Sequence, residues 1–293
     1  MRRRLHVKVS SGCNNNCQFC LDDRSRRTDT DDEGVATLLA RNANLGEVLF
    51  TCGEPTLHPE LPRYVAMARR AGYRSIGLVT NGRRLAYEPY CASLLSAGLT
   101  EVTVSIHGHT PQLHDGLTRS PGALRQTLAG LENLGRLRSN GTPRIITSTV
   151  VCRTNADHLR AILDRLTMAD VMVVNVIEPR GEARIRLAAL LPSYSELAHQ
   201  LSAALDGAPW RERVAIEGLP LCLCGDFLDR VGIREEIHLQ QGSQYAVLPP
   251  DRDHVKPPIC EGCSLSFRCP GIFGDYASQR GIEELRRVDD EAP

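Results

Sequence analysis

The sequence predicts an α/β fold built around a parallel sheet. Short apolar runs alternate with longer amphipathic segments up to about residue 205, which gives six strand–helix units in a row. The sixth run, Val171–Ile177, is almost entirely Val, Met and Ile, as expected of a strand buried on both faces. Successive units of this kind form parallel sheets with right-handed crossovers. The alternation stops near Asp206, so a different arrangement is expected after it.

The elements follow from apolar runs that are bounded by turn residues. The six strands are expected at Leu5–Val9, Gly46–Thr51, Ser75–Thr80, Glu101–Ile106, Ile145–Val151 and Val171–Ile177. Helices are expected at Val35–Arg41, Glu60–Ala71, Glu88–Ala97, Gly122–Leu137, Ala156–Met168 and Ser193–Leu205. Six units are too few to close an eight-stranded barrel. A partial barrel and a doubly wound open sheet are therefore the two candidates.

Two further local signals stand out. Gly98 directly follows the third predicted helix and is a typical helix C-cap. Late in the chain, Ile237–Gln240 and Tyr245–Leu248 flank Gln241-Gly242-Ser243, which predicts a hairpin. The residues after Asp206 have too little apolar periodicity to build a core alone, so they are expected to need a metal or the sheet for support.

Length, charge and cysteine content limit the possible functions. The 293 residues can form one large domain, or one domain with a small annex. Because 35 Lys and Arg balance 35 Asp and Glu, neither nucleic acid nor a membrane is an expected partner. No apolar run approaches roughly 18 residues, and the basic start lacks the apolar stretch of a signal peptide. Eleven clustered cysteines then indicate a reducing, cytoplasmic setting.

Three cysteines, Cys13, Cys17 and Cys20, follow the first strand in the pattern Cys-x3-Cys-x2-Cys. A loop this short can place three sulfurs on one face of a metal cluster. Iron–sulfur clusters are held by cysteine thiolates, and three ligands on a four-iron cubane leave one iron open. An open metal position indicates a catalytic centre. A structural zinc loop is the alternative, although such sites usually collect two cysteine pairs and no second pair lies nearby.

This spacing, with the aromatic Phe19 before the last cysteine, resembles that of the radical S-adenosylmethionine (radical SAM) enzymes. The resemblance implies a partial (β/α)6 TIM-type barrel over residues 1–205. It also implies a [4Fe-4S] cluster whose open iron is chelated by the amino and carboxylate groups of SAM. In this family one electron from the cluster cleaves SAM to methionine and a 5′-deoxyadenosyl radical.

The turn after the second strand, Cys52-Gly53-Glu54-Pro55, resembles the Gly-Gly-Glu-Pro motif of this family. The exposed backbone of that motif binds the amino group of SAM. Here Cys52 replaces the first glycine, and a positive φ would cost more at this position than it does for glycine. Cys52 is expected to be a free thiol rather than a fourth cluster ligand, because SAM takes that role in the family.

Four more residue assignments come from the resemblance, each at the end of a predicted strand, where barrel enzymes place their reactive groups. Asn81 would order the floor of the SAM site, and Ser105 would meet the ribose or the methionine carboxylate. His107 would touch SAM or substrate, with a supporting or solvated histidine as the alternative. Pro179, in Glu178-Pro179-Arg180-Gly181, would help to hold the adenine. Separately, the Ser148 hydroxyl on the fifth strand could line the pocket or satisfy the strand edge.

A second group of cysteines, Cys260, Cys263 and Cys269, lies near the end of the chain, after Cys222 and Cys224. Three late thiolates and one earlier thiolate are enough to ligate a second cubane fully. The pattern resembles the SPASM and Twitch auxiliary-cluster tails of radical SAM enzymes, which implies such a domain over residues 206–293. Cys222 is the expected fourth ligand and Cys224 the alternative. A four-cysteine zinc site is the rival, because both metals accept tetrahedral thiolates.

The resemblance implies a radical SAM enzyme that abstracts hydrogen from a small molecule in a biosynthetic pathway, with flavodoxin or ferredoxin as reductant. A small molecule is favoured because the barrel begins by residue 5 and leaves no preceding domain to grip a leader peptide. A maturase of a ribosomally made peptide is the second candidate. A non-catalytic iron–sulfur electron carrier is a third, against which the SAM-binding turns argue. The basic run Arg24, Arg26 and Arg27 is expected to be a solvated loop.

Overall fold

Parallel strands that follow one another along the chain form the centre of the structure. The computed structural model describes residues 3–21, 31–179, 181–232, 236–241, 244–249 and 253–289. In the main sheet the strands are β1 (Arg3–Lys8), β2 (Glu47–Thr51), β3 (Ser75–Thr80), β4 (Glu101–Ser105), β5 (Arg144–Val151), β6 (Val171–Val176), β7 (Val214–Glu217), β8 (Glu236–Gln241) and β9 (Gln244–Leu248). The predicted basic run at 24–27 and Arg180 lie outside the described residues.

The order of the sheet is β7-β6-β5-β4-β3-β2-β1-β8-β9. Strands β1 to β8 pair in parallel, and β9 pairs antiparallel with β8. Within the described ranges no pairing joins the edge strands β7 and β9, so the sheet is a partial barrel and does not close. The predicted fold class is confirmed, and β7 and β8 extend the six predicted strands on both sides.

The helices lie mainly between the strands, as predicted. They are α1 (Asp32–Arg41), α2 (Leu61–Arg70), α3 (Glu88–Ala97), α4 (Pro111–Thr118), α5 (Ala123–Leu137), α6 (Leu159–Asp164), α7 (Gly181–Ile185), α8 (Leu187–Leu190), α9 (Tyr194–Leu205) and α10 (Gly274–Arg280). Gly98 ends α3 in the left-handed conformation, with φ 115°, which confirms the predicted C-cap. Ser193 and Glu196 form a reciprocal capping box at the start of α9.

The core is filled mainly by aliphatic side chains, which fits the low aromatic content of 4%. Strand β6 differs from its prediction in one respect. Met172, Val174 and Val176 are buried, whereas the residues between them are only half-buried. One face of this strand therefore packs into the core while the other borders a more open space. No helix of the described chain is both long and apolar enough to cross a bilayer.

One predicted helix is too long, one helix was not predicted, and one predicted hairpin is confirmed with an added contact. The helix predicted over Ala156–Met168 is shorter: a 3-10 turn covers Ala156–His158 and α6 ends at Asp164. Helix α4 was not predicted, although Thr110 caps it and Pro111 occupies its first turn. The predicted hairpin is confirmed as β8 and β9. The parallel pairing of β8 with β1 was not predicted.

The predicted boundary at residue 205 stays a prediction, but the sheet crosses it. Strand β7 pairs with β6, and β8 pairs with β1, so segments from the predicted second domain continue the first one's sheet. A separate two-stranded sheet joins His254–Val255 to Ile272–Phe273 within the later region. This small sheet brackets the segment that carries Cys260, Cys263 and Cys269.

Candidate active site

A cavity of about 190 Å³ lies at the carboxyl ends of β2, β3, β4 and β5. Its lining comes from the cysteine loop after β1 and from the turns that follow these strands. The lining residues are Cys13, Asn15, Cys17, Phe19, Cys20, Leu21, Cys52, Gly53, Glu54, Val79, Thr80, Asn81, Ser105, His107 and Val150. Ten of the predicted site residues therefore share one cavity, while Pro55, Ser148 and Pro179 lie outside its lining.

The three cysteines of the loop are available as ligands. Cys13 is exposed, Cys17 and Cys20 are half-buried, and none of them forms a disulfide. The backbone N–H of Asn15 points to the Cys13 sulfur at 3.4 Å. Contacts of this kind stabilise a thiolate, which is the form that binds iron. The donor chemistry of the loop thus fits an iron–sulfur cluster.

One side of the cysteine loop is held by the segment after β3. Arg83 donates through Nη1 to the Asn14 carbonyl and, at 2.9 Å, to Asn15 Oδ1. Its Nε donates to Gln126 Oε1 on α5 at 2.7 Å. Asn81 Nδ2 donates to Asn14 Oδ1 at 2.6 Å. The loop is therefore fixed by side chains that lie far from it in sequence.

The other side of the loop is held by α4. The backbone N–H groups of Asn16 and Gln18 donate to the carbonyls of Thr118 and Leu117, at 2.8 and 3.0 Å. These carbonyls are left without helical partners at the end of a helix, so the loop satisfies them. Helix α4 is thus a structural support of the cysteine loop, a role that the sequence prediction missed.

The turn after β2 has the backbone conformation that its family resemblance implies. Cys52 has φ 66° and Gly53 has φ 56°. A Cβ atom on Gly53 would lie 2.1 Å from the Ser10 carbonyl oxygen, so only glycine fits there. The Glu54 N–H donates to the Gly12 carbonyl at 2.8 Å. This turn therefore lies directly against the start of the cysteine loop, and Cys52 adopts a conformation that is unfavourable for a non-glycine residue.

Glu54 is buried, and its carboxylate is used inside the protein. It accepts hydrogen bonds from Thr80 Oγ1 at 2.6 Å, from the Asn81 N–H at 2.7 Å and from the Thr56 N–H at 3.0 Å. Burial raises the pKa of Glu54, and these hydrogen bonds oppose that shift. Glu54 thereby joins the turn after β2 to the turn after β3, and both carboxylate oxygens already have protein partners.

His107 lies buried at the cavity wall beside Phe19. The two rings meet edge to face, with centroids 4.7 Å apart. His107 Nδ1 accepts the Val150 N–H at 3.2 Å, and the Nδ1 of His114 accepts the His107 N–H at 3.1 Å. Burial lowers the pKa of His107 well below its usual range. The ring is therefore neutral, with its proton on Nε2.

The remaining predicted residues are divided between the cavity and its surroundings. Ser105 is half-buried and lines the cavity. The Ser148 hydroxyl accepts a hydrogen bond from Asn175 Nδ2 at 3.0 Å, which favours the strand-edge alternative. Pro179 is buried and precedes Gly181, where a Cβ would lie 2.5 Å from the Cys20 carbonyl oxygen. The last strand-end turn thus contacts the end of the cysteine loop.

The comparison with protein families matches this same part of the chain. The family model described as the Radical SAM superfamily covers residues 7–166, which is more than half of the 293 residues. The chain belongs to the radical SAM superfamily. Membership implies an enzyme with a [4Fe-4S] cluster and SAM, and the three thiols at the cavity fit that cluster.

Individual proteins resemble the chain to different extents. A GTP 3′,8-cyclase of Hydrogenovibrio crunogenus is 30% identical over 194 residues, which are 62% of this chain and 57% of that relative. A GTP 3′,8-cyclase of Xanthomonas campestris pv. campestris is 28% identical over 296 residues, with 89% of this chain and 83% of that relative covered. The chain therefore spans little more than half of the first relative's length.

A solved structure of anSMEcpe with bound AdoMet and Cp18Cys peptide shares the fold. Its TM-score is 0.59 at 20% sequence identity, and the match covers 74% of this chain and 63% of that one. At this identity the likeness concerns the fold alone. It supports the partial barrel described above.

A second cavity lies among the late cysteines of this radical SAM protein. Cys222, Cys260, Cys263 and Cys269 all line it. By contrast, Cys224 is fully buried, its Sγ donates to the Pro220 carbonyl at 3.4 Å, and burial raises its pKa to about 12. The geometry thus favours Cys222 over Cys224, and four thiols around one cavity fit a fully ligated cubane.

Among the residues that the structure describes, no three His, Cys, Asp or Glu side chains are placed so as to hold a single metal ion. A zinc site and a cubane would each draw the four thiolates inward, so the metal content of the protein decides between the two.

Proposed function

We propose that this radical SAM enzyme uses the 5′-deoxyadenosyl radical to abstract hydrogen from a small-molecule substrate in a biosynthetic pathway. The observation that carries the proposal is the single cavity in which Cys13, Cys17 and Cys20 meet the turns after β2, β3 and β4. A cluster and its ligand would share that cavity, beside side chains that can orient both. An electron carrier would have no use for these turns.

Each part of the cavity has a distinct proposed role. Cys13, Cys17 and Cys20 hold the cluster, which when bound supplies the electron that splits SAM into methionine and the 5′-deoxyadenosyl radical. The backbone at Gly53, which lines the cavity, would bind the SAM amino group. His107 presents an Nε2–H donor, and the buried ring pair with Phe19 keeps water from that wall. The protein's contribution is therefore binding, orientation and exclusion of water.

We further propose that Cys222, Cys260, Cys263 and Cys269 hold an auxiliary [4Fe-4S] cluster in a SPASM- or Twitch-like region over residues 206–293. Their shared cavity supports this assignment. Anaerobically reconstituted protein should then contain roughly eight irons, from two cubanes. About four irons together with bound zinc would contradict the auxiliary cluster and leave the first site intact.

The substrate is proposed to be a small molecule, and GTP is the first candidate because relatives are named GTP 3′,8-cyclase. A flavodoxin or ferredoxin is the proposed electron donor. In the reaction the radical takes a hydrogen atom from a substrate C–H bond, which yields 5′-deoxyadenosine and a substrate radical. The origin of that hydrogen atom can be traced with deuterium.

The test uses anaerobic protein, SAM, reduced flavodoxin and either deuterated GTP or a deuterated small-molecule extract. We expect faster formation of 5′-deoxyadenosine than without substrate, and deuterium in that product by mass spectrometry. Cys17→Ala is the control that should form none. Stimulation by peptides alone would overturn the small-molecule assignment in favour of peptide maturation. Complete absence of 5′-deoxyadenosine from the wild type would indicate an electron carrier.

A further inference from the structure

We propose that Arg286 and Lys256 raise the reduction potential of the auxiliary cluster, and so adapt that site to accept an electron. The inference rests on the proposed auxiliary cluster. It assigns a role to two cationic side chains that line the late cavity together with Cys222, Cys260, Cys263 and Cys269. The cavity is otherwise lined by Leu265, Ser266 and Gly271.

Each cation is fixed to a different part of the cysteine framework. Arg286 donates through Nε to the Cys222 carbonyl at 2.8 Å. Lys256 donates through Nζ to the Ser266 carbonyl at 2.6 Å, within the segment between Cys263 and Cys269. These bonds hold both side chains near the thiols from two directions. Their positions follow from the fold, because Arg286 and Cys222 are 64 residues apart in sequence.

The charges around the two proposed cluster sites differ. The late cavity has two cations and, among its described lining residues, no carboxylate. The early cavity includes the carboxyl group of Glu54 and has no Lys or Arg among its described lining residues, because Arg83 is held outside that lining on the Asn14 carbonyl. A cluster becomes more negative by one charge when it is reduced, so nearby cations stabilise its reduced form. The late site should therefore have the higher potential.

This difference suits opposite tasks. Cleavage of SAM requires a strongly reducing cluster at Cys13, Cys17 and Cys20. A cluster beside Arg286 and Lys256 would instead be reduced more easily, as a site that takes up an electron must be. Since the net charge around a cluster sets its potential in this way, the two cations select the direction in which the auxiliary site exchanges electrons.

The test is a redox titration of the reconstituted protein, followed by electron paramagnetic resonance (EPR), in which the two clusters are resolved. Arg286→Gln and Lys256→Gln should each shift the auxiliary potential downward, and the double variant should shift it further. At the wild-type midpoint we expect the ratio of reduced to oxidised auxiliary cluster to fall about tenfold in the double variant. The potential of the Cys13, Cys17 and Cys20 cluster should not change.

Arg136→Gln is the control. Arg136 pairs through Nη2 with Glu88 Oε2 at 2.6 Å and lines neither cavity. Its substitution should leave both potentials unchanged. Arg286→Lys keeps the charge and should retain a potential close to that of the wild type. If Arg286→Gln weakens cluster retention, Arg286→Lys still separates the effect of charge from that of structure.

An unchanged auxiliary potential in Arg286→Gln and the double variant, with both clusters retained, would overturn the inference while leaving the auxiliary cluster itself in place. A large downward shift in Arg286→Lys would also overturn it, because the charge would then not be the cause. A wild-type protein with only one cluster would instead overturn the proposed auxiliary site. Iron content and the EPR signals therefore distinguish the two failures.

Discussion

The carboxylate of Glu54 accepts the backbone N–H of Asn81 at 2.7 Å. This bond joins the turn after β2 to the turn after β3 below the proposed SAM site. Thr80 adds a second link to the same carboxylate, at 2.6 Å. The Gly-Glu-Pro segment is therefore more than a surface for a ligand, because its acidic side chain holds two strand ends in register.

Glu54→Gln should destabilise the protein and weaken SAM binding. The amide –NH2 would face at least one N–H or O–H group that now donates a hydrogen bond to Glu54. An unsatisfied buried donor costs about 1–3 kcal/mol. We expect a loss of about 2 kcal/mol in anaerobic denaturant unfolding, with a smaller SAM-induced change in the EPR signal. Glu60→Gln is the control, because the Glu60 side chain is 45% exposed and its carboxylate pairs with Arg63 Nε at 2.9 Å on the surface. Equal stability of the two variants would contradict the role of Glu54.

Arg83 should be needed to hold the cysteine loop. Arg83→Gln removes its bonds to the Asn14 carbonyl and to Asn15 Oδ1, so the loop that carries Cys13 and Cys17 loses one support. Because small displacements of reacting groups are costly, we expect SAM cleavage to slow by about tenfold to a hundredfold. The EPR signal of the reduced cluster should also broaden.

Arg84→Gln is the matched control for Arg83. The guanidinium of Arg84 lies over the Tyr90 ring, 4.8 Å from its centroid, rather than on the cysteine loop. Its loss should leave SAM cleavage and the EPR signal nearly unchanged. If Arg83→Gln and Arg84→Gln behaved alike in both measurements, the contacts of Arg83 with the loop would have no special importance.

Cys52→Gly should stabilise the protein slightly without loss of iron. Cys52 has φ 66°, and a non-glycine residue in this left-handed region costs roughly 1–2 kcal/mol. The thermal unfolding temperature should therefore rise in Cys52→Gly. It should not rise in Cys52→Ala, which keeps the strained Cβ. Loss of iron in both variants would show that the Cys52 thiol is a ligand after all.

His114 should make stability depend on pH. Burial lowers its pKa from 6.5 to about 4, so the unfolded chain binds a proton at this residue before the folded chain does. Stability is then fully present above the unfolded value of 6.5 and is lost as the pH falls towards about 4. One such group gives a slope of up to about 1.4 kcal/mol per pH unit.

The measurement compares anaerobic unfolding of the wild type and His114→Gln across this pH window. Gln retains an oxygen that can accept the His107 N–H but does not titrate. We expect a flatter pH dependence for His114→Gln, with the curves converging in slope above pH 6.5, the ordinary value for this side chain. Parallel curves throughout the window would contradict the buried, neutral state of His114.

Most of the sheet was predictable because its signals are local. Ser75–Thr80 and Glu88–Ala97 were predicted with the bounds that the structure has. Turn residues border both segments, and Gly98 marks the end of α3. Helix α4 could also have been found, because the pair Thr110 and Pro111 is a typical helix start.

Other features depend on pairing between distant parts of the chain. Strand β7 has only four residues, Val214–Glu217, and is defined by its pairing with β6. The pairing of β8 with β1 joins residues near opposite ends of the chain. No local pattern specifies either contact, so the sequence predicted a hairpin without its position in the sheet.

The candidate site divides in the same way. Spacing alone indicated Cys13, Cys17 and Cys20, and the family motifs indicated the strand-end turns. Arg83 was missed because its contacts with Asn14 and Asn15 span 69 and 68 residues. The choice of Cys222 over Cys224 was made from sequence context, and the structure adds a physical reason, since only Cys222 lines the late cavity.

The most direct test of the central claim is the response of the reduced N-terminal cluster to SAM. Anaerobic protein should be reduced and its EPR spectrum recorded with and without SAM, in the wild type and in Cys17→Ala. We predict a SAM-dependent change in the wild-type signal, accompanied by 5′-deoxyadenosine, and neither in Cys17→Ala. A wild-type signal that SAM leaves unchanged, or cleavage that persists without Cys17, would contradict the assignment of this site.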